Sequence, residues 1–365
     1  MKNYKNILYK ILEYGENTPN RTGIDTRSIF GTLFEHDMRD GFPLLTTKKI
    51  NPKTIFIELE GFIKGITNKK WYQLRGCYIW DEWSNPQSLK AYNWDDLSSV
   101  VKQLVRNQSK SPSLSPKFKP ILDDLLTKVE ELDLKCNSPF APSFNSELES
   151  IRDDIRKAVQ FYEPDLGPIY GYQWRYFGRQ YSPSENNDGS FTINGYKGVD
   201  QLAKLINTLK NNPLDRRMIV SAWNPIELEN DNVALPACHF GYQVNSNGKE
   251  FDLMWSQRSV DVGAGLPFNI GSYAMLMVLI GKETGLTPRY LKGCLGNTHI
   301  YMNHLEQMDL QLSREERTLP TIVIPDTGKT FPITDKAFSI YDWEYDQYEI
   351  SGYDPHPFIK LPIAV

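Results

Sequence analysis

The chain has 365 residues, 40% hydrophobic and 24% charged, which gives room for one sizeable core and excludes a collagen, a coiled coil and wholesale disorder. With 41 basic against 45 acidic residues the net charge is −4, so no global basic field exists to wrap nucleic acid. In chain order, Tyr4, Ile7, Leu8, Ile11 and Leu12 fall at helical spacing until Gly15, and Asn20–Gly23 is a turn carrying Arg21. Ser28–His36 reads as a strand, Pro43–Lys49 as a connection with two lysines, and Pro52–Lys64 as a helix with Ile55, Leu59, Phe62 and Ile63 inward.

From about Asn85 to Glu163 the composition turns to Ser, Lys, Asp and Asn. Three amphipathic patterns (Leu97–Leu104, Ile121–Leu132 and Leu148–Val159) read as surface helices of a subdomain inserted at about 85–163, without a catalytic constellation of its own. Beyond it, Val199–Leu209 reads as a helix and Met218–Trp223 as a buried strand. His239–Val244 and Phe251–Ser259 read as a hairpin around Asn245–Gly248, followed by a long apolar helix over Pro267–Gly285. The pattern is α+β with a large sheet in a single domain over 1–365. The apolar run Ala274–Gly281 is too short to span a bilayer, the first residues form no signal region, and Cys77, Cys136, Cys238 and Cys294 lack a zinc or disulfide spacing. A soluble protein of a reducing compartment, the cytoplasm, is expected.

Cys238 precedes the first hairpin strand. A cysteine there is usually a small buried hydrophobe, but antiparallel pairing brings it beside Arg258, and a guanidinium beside a thiol favours nucleophilic chemistry. His239 is a weaker candidate base, because neighbours on a strand point to opposite faces. Arg21, Arg216 and Arg217 read singly as surface charges; joined to Arg258 and Ser259 they make a phosphate clamp.

The segments Arg21–Gly23, Gly41–Lys49, Ile79–Trp83, Asp165–Arg175, Asp215–Arg217, Ser221–Pro225, Cys238–His239, Gln257–Ser259, Gly265–Ile270, Thr298–Tyr301 and His356–Lys360 with the ending Ala364–Val365 resemble the thymidylate synthase family, in order and over nearly everything outside 85–163. The resemblance implies a large mixed β-sheet flanked by helices, a homodimer, deoxyuridine monophosphate (dUMP) as substrate and 5,10-methylenetetrahydrofolate as co-substrate, with no metal, no membrane and no nucleic acid as partner. It gives Cys238 the role of nucleophile at C6 of the uracil. Arg258, Arg21 and Ser259 would hold phosphate, with Arg216 and Arg217 reaching across from the other subunit. Asn269 would read the O4/N3 edge of uracil, and His299 and Tyr301 the 3′-hydroxyl. Glu58 would manage water and protons around O4, and Tyr170 would assist loss of the C5 proton. Asp261 would bind the pterin, Trp80, Trp83, Gly265 and Phe268 would wall it, Lys48 would attract the glutamate tail, and Ala364 and Val365 would close over the site.

Some positions depart from the family pattern. Glu58-Leu59-Glu60-Gly61-Phe62 stands where Glu-Leu-Leu-Trp-Phe is usual, and Gly263-Ala264 replaces a bulkier pair. Ala237 stands for proline, and Asn297 for aspartate. Smaller side chains and a second carboxylate at Glu60 suit a dUMP hydroxymethylase, in which water adds to the C5 methylene group; Trp80 and the ending suit the synthase, in which hydride reduces it. A non-catalytic binding protein of this fold is the remaining alternative.

Overall fold

The computed structural model describes residues 1–20, 22–109, 123–130, 145–182, 197–325 and 338–362. Arg21, Ala364 and Val365, three of the site residues expected from the sequence, lie outside the described residues.

Six strands form one mixed sheet in the order β1-β2-β6-β5-β4-β3. They are β1 (Glu16–Thr18), β2 (Thr26–Asp37), β3 (Ile219–Ser221), β4 (His239–Ser246), β5 (Glu250–Asp261) and β6 (Thr287–Tyr301). Only β5 and β6 run parallel. The crossover between them is α11 (Gly265–Thr284), whose mid-section is buried on all sides against the inner sheet face and α2 (Pro52–Lys64). The expected helix over Pro267–Gly285 thus begins two residues earlier.

The α2 helix takes the bounds that its pattern predicts. Asn51 Oδ1 accepts the Lys53 N–H, Pro52 opens the first turn, and Gly65 ends it in the left-handed region at φ 72°. Opposite α2 lies α8 (Tyr170–Tyr176). A Cβ at Gly171 would overlap the Phe62 backbone, so the missing side chain is what lets the two helices cross this closely.

The β4–β5 hairpin forms as predicted, with a shorter turn: Asn247 Oδ1 accepts the N–H groups of Lys249 and Glu250. The expected buried strand over Met218–Trp223 is reduced to β3. Only Val220 of its three residues is buried, because β3 is the sheet edge and Ile219 points outward.

Residues 85–162 build helices α4 (Pro86–Lys90), α5 (Leu97–Ser109), α6 (residues 123–130) and α7 (Asn145–Tyr162). Their amphipathic faces meet in a second apolar cluster around Val100, Val101, Leu104, Leu125, Ile155 and Val159, apart from the main core. No helix among the described residues is long and apolar enough to cross a membrane.

Candidate active site

Cys238 sits at the open end of the β4–β5 hairpin. Its carbonyl accepts the Arg258 backbone N–H at 2.8 Å, the pairing continues through His239↔Gln257, and the register slips before Gly241. The Arg258 guanidinium folds back on the turn before the cysteine. Its Nε donates to the Ala237 carbonyl at 3.1 Å and its Nη2 to the Pro236 carbonyl at 2.9 Å, which brings Nη2 to 3.8 Å from the Cys238 Sγ. The Trp223 ring lies 5.8 Å from the guanidinium carbon, a contact the sequence reading missed. A fixed cation therefore flanks a half-buried sulfur, the arrangement in which a thiol can act as a nucleophile.

Tyr170 opens α8. Its hydroxyl accepts the Cys238 backbone N–H at 2.8 Å, and its ring stacks on Phe62 at 5.0 Å and on His239 at 4.2 Å, the three rings forming one cluster. Burial pushes the phenol well above its ordinary range, so the hydroxyl keeps its proton at neutral pH. His239 is no base for the thiol. Its Nδ1 bonds the Tyr273 hydroxyl at 2.9 Å, and burial drives its pKa down to about 3.

Glu58 projects from α2 into the same region. Desolvation pushes its carboxyl up to about 7, and the Trp80 indole opposes the rise. Trp80 is buried and meets Tyr170 edge-on at 6.0 Å. Trp83 and Phe268 are half-buried at the margin of the core.

The loop between β5 and α11 is gripped from both sides. Asp261 Oδ1 accepts the N–H groups of Gly263 at 2.8 Å and Ala264 at 3.1 Å. Lys48 Nζ donates to the Gly263 carbonyl. Lys48 is buried, with its pKa pushed down to about 8 by desolvation, so its ammonium serves this loop and is not presented to solvent. Gly265 leaves open space beside Asp261. The Gln257 amide donates to Asn269 Oδ1 at 3.0 Å, which orients the Asn269 amide with its NH2 directed elsewhere. His299 Nδ1 bonds Asn297 Oδ1 at 2.8 Å, and its ring meets Tyr301 edge-on. Ser259 pairs with Asn297 across β5 and β6, which brings the hydroxyl to the strand that carries His299. Gln257 and Asn297 stand out in the sequence only as a motif residue and a departure from the family pattern; their part in orienting these groups does not show there, because nothing in spacing marks a residue that acts through its neighbour.

Arg216 and Arg217 do not join this cluster. The β3–β4 pairing begins at Ile219↔Gln243, and the Gln243 amide lies 3.5 Å from the Arg216 carbonyl, five residues along β4 from Cys238 and roughly 17 Å away at ~3.3 Å per residue. Both are exposed, and Arg217 is held by Asp215 at 2.6 Å.

The departures from the family pattern are compensated. Glu60 is buried and turned away from Glu58: it pairs with Lys64 at 2.5 Å and accepts the Tyr345 N–H at 3.0 Å. A Cβ at Gly61 would overlap the ring and hydroxyl of Tyr72, so that ring occupies the volume. A Cβ at Gly263 would lie within 3.3 Å of Asp261, Leu361 and Met308. Neither glycine opens a gap for water, and Glu60 has no lone role as its orienter. Among the described residues no group of His, Cys, Asp and Glu is placed to hold a metal ion.

Comparison with known sequences agrees with this geometry. The family profile described as "Thymidylate synthase" matches residues 2–365. Thymidylate synthases of Mycoplasma genitalium and Mesoplasma florum are each 37% identical, over 365 and 368 residues, and that of Mycoplasma pneumoniae is 35% identical over 370. Each alignment spans 100% of both chains, the segment 85–163 included. A hairpin-end cysteine flanked by its arginine, set within a full-length match of this kind, places the chain in the thymidylate synthase family.

Proposed function

We propose that the chain is a thymidylate synthase that converts dUMP to dTMP through a covalent bond between Cys238 and C6 of the uracil. The observation that carries this reading is Cys238 Sγ at 3.8 Å from the Arg258 guanidinium, beside Tyr170 and Glu58. Addition of the sulfur to C6 places carbanion character on C5. Asn269, oriented by Gln257, donates toward O4 and stabilises the enolate. Glu58, poised near neutrality, exchanges a proton with the O4 region, and protonated Tyr170 organises the transfer from C5. Ser259 and Arg258 hold phosphate, together with Arg21.

When bound, 5,10-methylenetetrahydrofolate supplies the one-carbon unit and the hydride. The residues present fit it. Trp80, Trp83 and Phe268 give flat apolar surface, Asp261 gives a carboxylate oxygen beside the open volume at Gly265, and the chain up to Pro362 passes the Gly263 loop, where His304 Nε2 bonds the Pro362 carbonyl. In this reading Ala364 and Val365, outside the described residues, close over the site and exclude water.

The enzyme works as a homodimer in the cytoplasm. Phe30, Leu33, Ile219, Phe240 and Met254 of the sheet strands are exposed, Phe30 by 88% and Leu33 by 71%, apolar surface suited to a second copy. Arg216 and Arg217, remote from their own Cys238, then serve the partner's phosphate. The test is mass spectrometry of the nucleotide made from dUMP and methylenetetrahydrofolate, with absorbance for dihydrofolate. dTMP with stoichiometric dihydrofolate is expected; hydroxymethyl-dUMP without dihydrofolate overturns the proposal.

A further inference from the structure

We infer that Lys69 fastens the helical layer of residues 85–163 to the loop bearing Trp80 and Trp83, and that this layer thereby positions the wall against which the folate rests. The inference rests on the reading of those tryptophans as the folate wall.

Lys69 lies on α3 (Lys69–Leu74) and is 1% exposed. Its Nζ reaches four oxygens: the carbonyls of Asp81 at 3.1 Å, Trp83 at 2.7 Å and Gln160 at 2.7 Å, and Ser84 Oγ at 3.1 Å. Three belong to the tryptophan loop and one to α7. An ammonium has three protons, so it is shared among more acceptors than it can satisfy at once, and each oxygen is drawn toward one point. Gln160 stands in the last turn of α7, where carbonyls lack intrahelical partners and the helix dipole favours a cation.

Other bonds tie the same two segments. The Gln160 amide donates to the Glu82 carbonyl at 2.7 Å, and the Ser84 hydroxyl lies against the carbonyls of Gln160 and Glu163. The Gln73 amide donates to Asp81 Oδ1 at 2.9 Å, so α3 holds the loop at a second point. Burial pulls the Lys69 pKa down, and the carboxylates of Asp81, Glu163 and Glu82 oppose the shift. A buried ammonium set among carbonyls is costly, and removing it leaves those carbonyls without their donor. A segment without catalytic side chains thus acts on the reaction as a buttress, with Lys69 as a positioning residue.

The experiment measures KM for each substrate, kcat, and equilibrium folate affinity by tryptophan quenching in the presence of dUMP. The proteins are the full chain and its Lys69→Met, Gln160→Ala and Trp80→Ala variants. Lys69→Met is expected to raise the folate KM and dissociation constant about tenfold, with dUMP KM and kcat changed less than about twofold, and to speed hydrogen exchange at the 81–85 amides. Gln160→Ala keeps the carbonyl that Lys69 holds but removes the side-chain bond to the Glu82 carbonyl; it gives the same pattern more weakly, and if Lys69→Met fails to fold it decides whether the helical layer positions the loop. Unchanged folate affinity in both variants, or equal losses for both substrates, overturns the inference. If Trp80→Ala itself leaves folate affinity unchanged, the assignment of the wall fails instead.

Discussion

The backbone N–H of Cys238 donates to the hydroxyl of Tyr170 across 2.8 Å, tying the nucleophile's own peptide to the first residue of α8. Two roles meet in that hydroxyl: it accepts this bond and keeps a proton to give. Tyr170→Phe removes both. We expect kcat to fall on the order of 100-fold with little change in dUMP KM, and stability to drop by about 1–2 kcal/mol, measured by steady-state kinetics and urea unfolding.

Glu58 titrates near 7 in the folded chain against about 4.5 when unfolded. Between those values the folded state holds the proton that the unfolded state has released. Stability from this group is therefore full below about pH 4.5 and declines as pH rises toward 7. Glu58→Gln flattens that decline, by roughly 1–3 kcal/mol between pH 4.5 and 8. The same substitution abolishes the ionisation near 7 in the pH profile of kcat/KM. Urea titrations and kinetics across this range check both statements.

Tyr72 and Gly61 share one volume. Gly61→Trp alone overpacks it, and we expect a loss of about 3 kcal/mol or more. Tyr72→Ala alone leaves a cavity, at about 3–5 kcal/mol. In the double variant the indole fills the space vacated by the phenol, so the two losses fall short of additivity by about 1–3 kcal/mol. Urea unfolding of the four proteins measures this coupling; additive losses contradict the shared volume.

Subunit exchange tests the remote arginines. On the proposed homodimer, Cys238→Ala and the pair Arg216→Ala/Arg217→Ala are each expected to be inactive. Mixed after partial denaturation and refolding, they assemble a heterodimer in which one site has an intact cysteine and intact partner arginines. Activity is expected to return to about a quarter of the wild-type level at equal mixing, a statistical expectation for symmetric dimers. No recovery above the parents rules the sharing out.

The sequence carried the local signals well. The cap and proline at Asn51–Pro52 gave α2 its bounds, and alternation with an Asn-Gly turn gave the hairpin whose open end joins Cys238 to Arg258. The central strand β6 escaped notice. Its run of Thr287–Tyr301 carries three glycine or proline residues and a weak alternation, and it is a strand because β2 and β5 flank it on both sides. The α8 helix was hidden for a similar reason, since its aromatic residues fit a strand as readily as a helix, and only the close crossing at Gly171 decides. Motif residues stood out in the sequence one by one. The contacts that Gln257, Asn297, Trp223 and Lys69 make did not, because each acts across a fold-level contact that no spacing encodes.

The shared volume of Gly61 and Tyr72 also constrains how this lineage can change. A lone mutation at residue 61 to any larger side chain meets the phenol, and a lone mutation at residue 72 to a small one hollows out the wall behind Glu58. A path from this glycine to an indole that takes either change alone passes through a dip in stability, although the two sites lie on consecutive helices. Crossing it requires an intermediate ring at residue 72, small enough to tolerate a neighbour and large enough to fill the space, so the order of substitutions is fixed by packing before selection acts on catalysis.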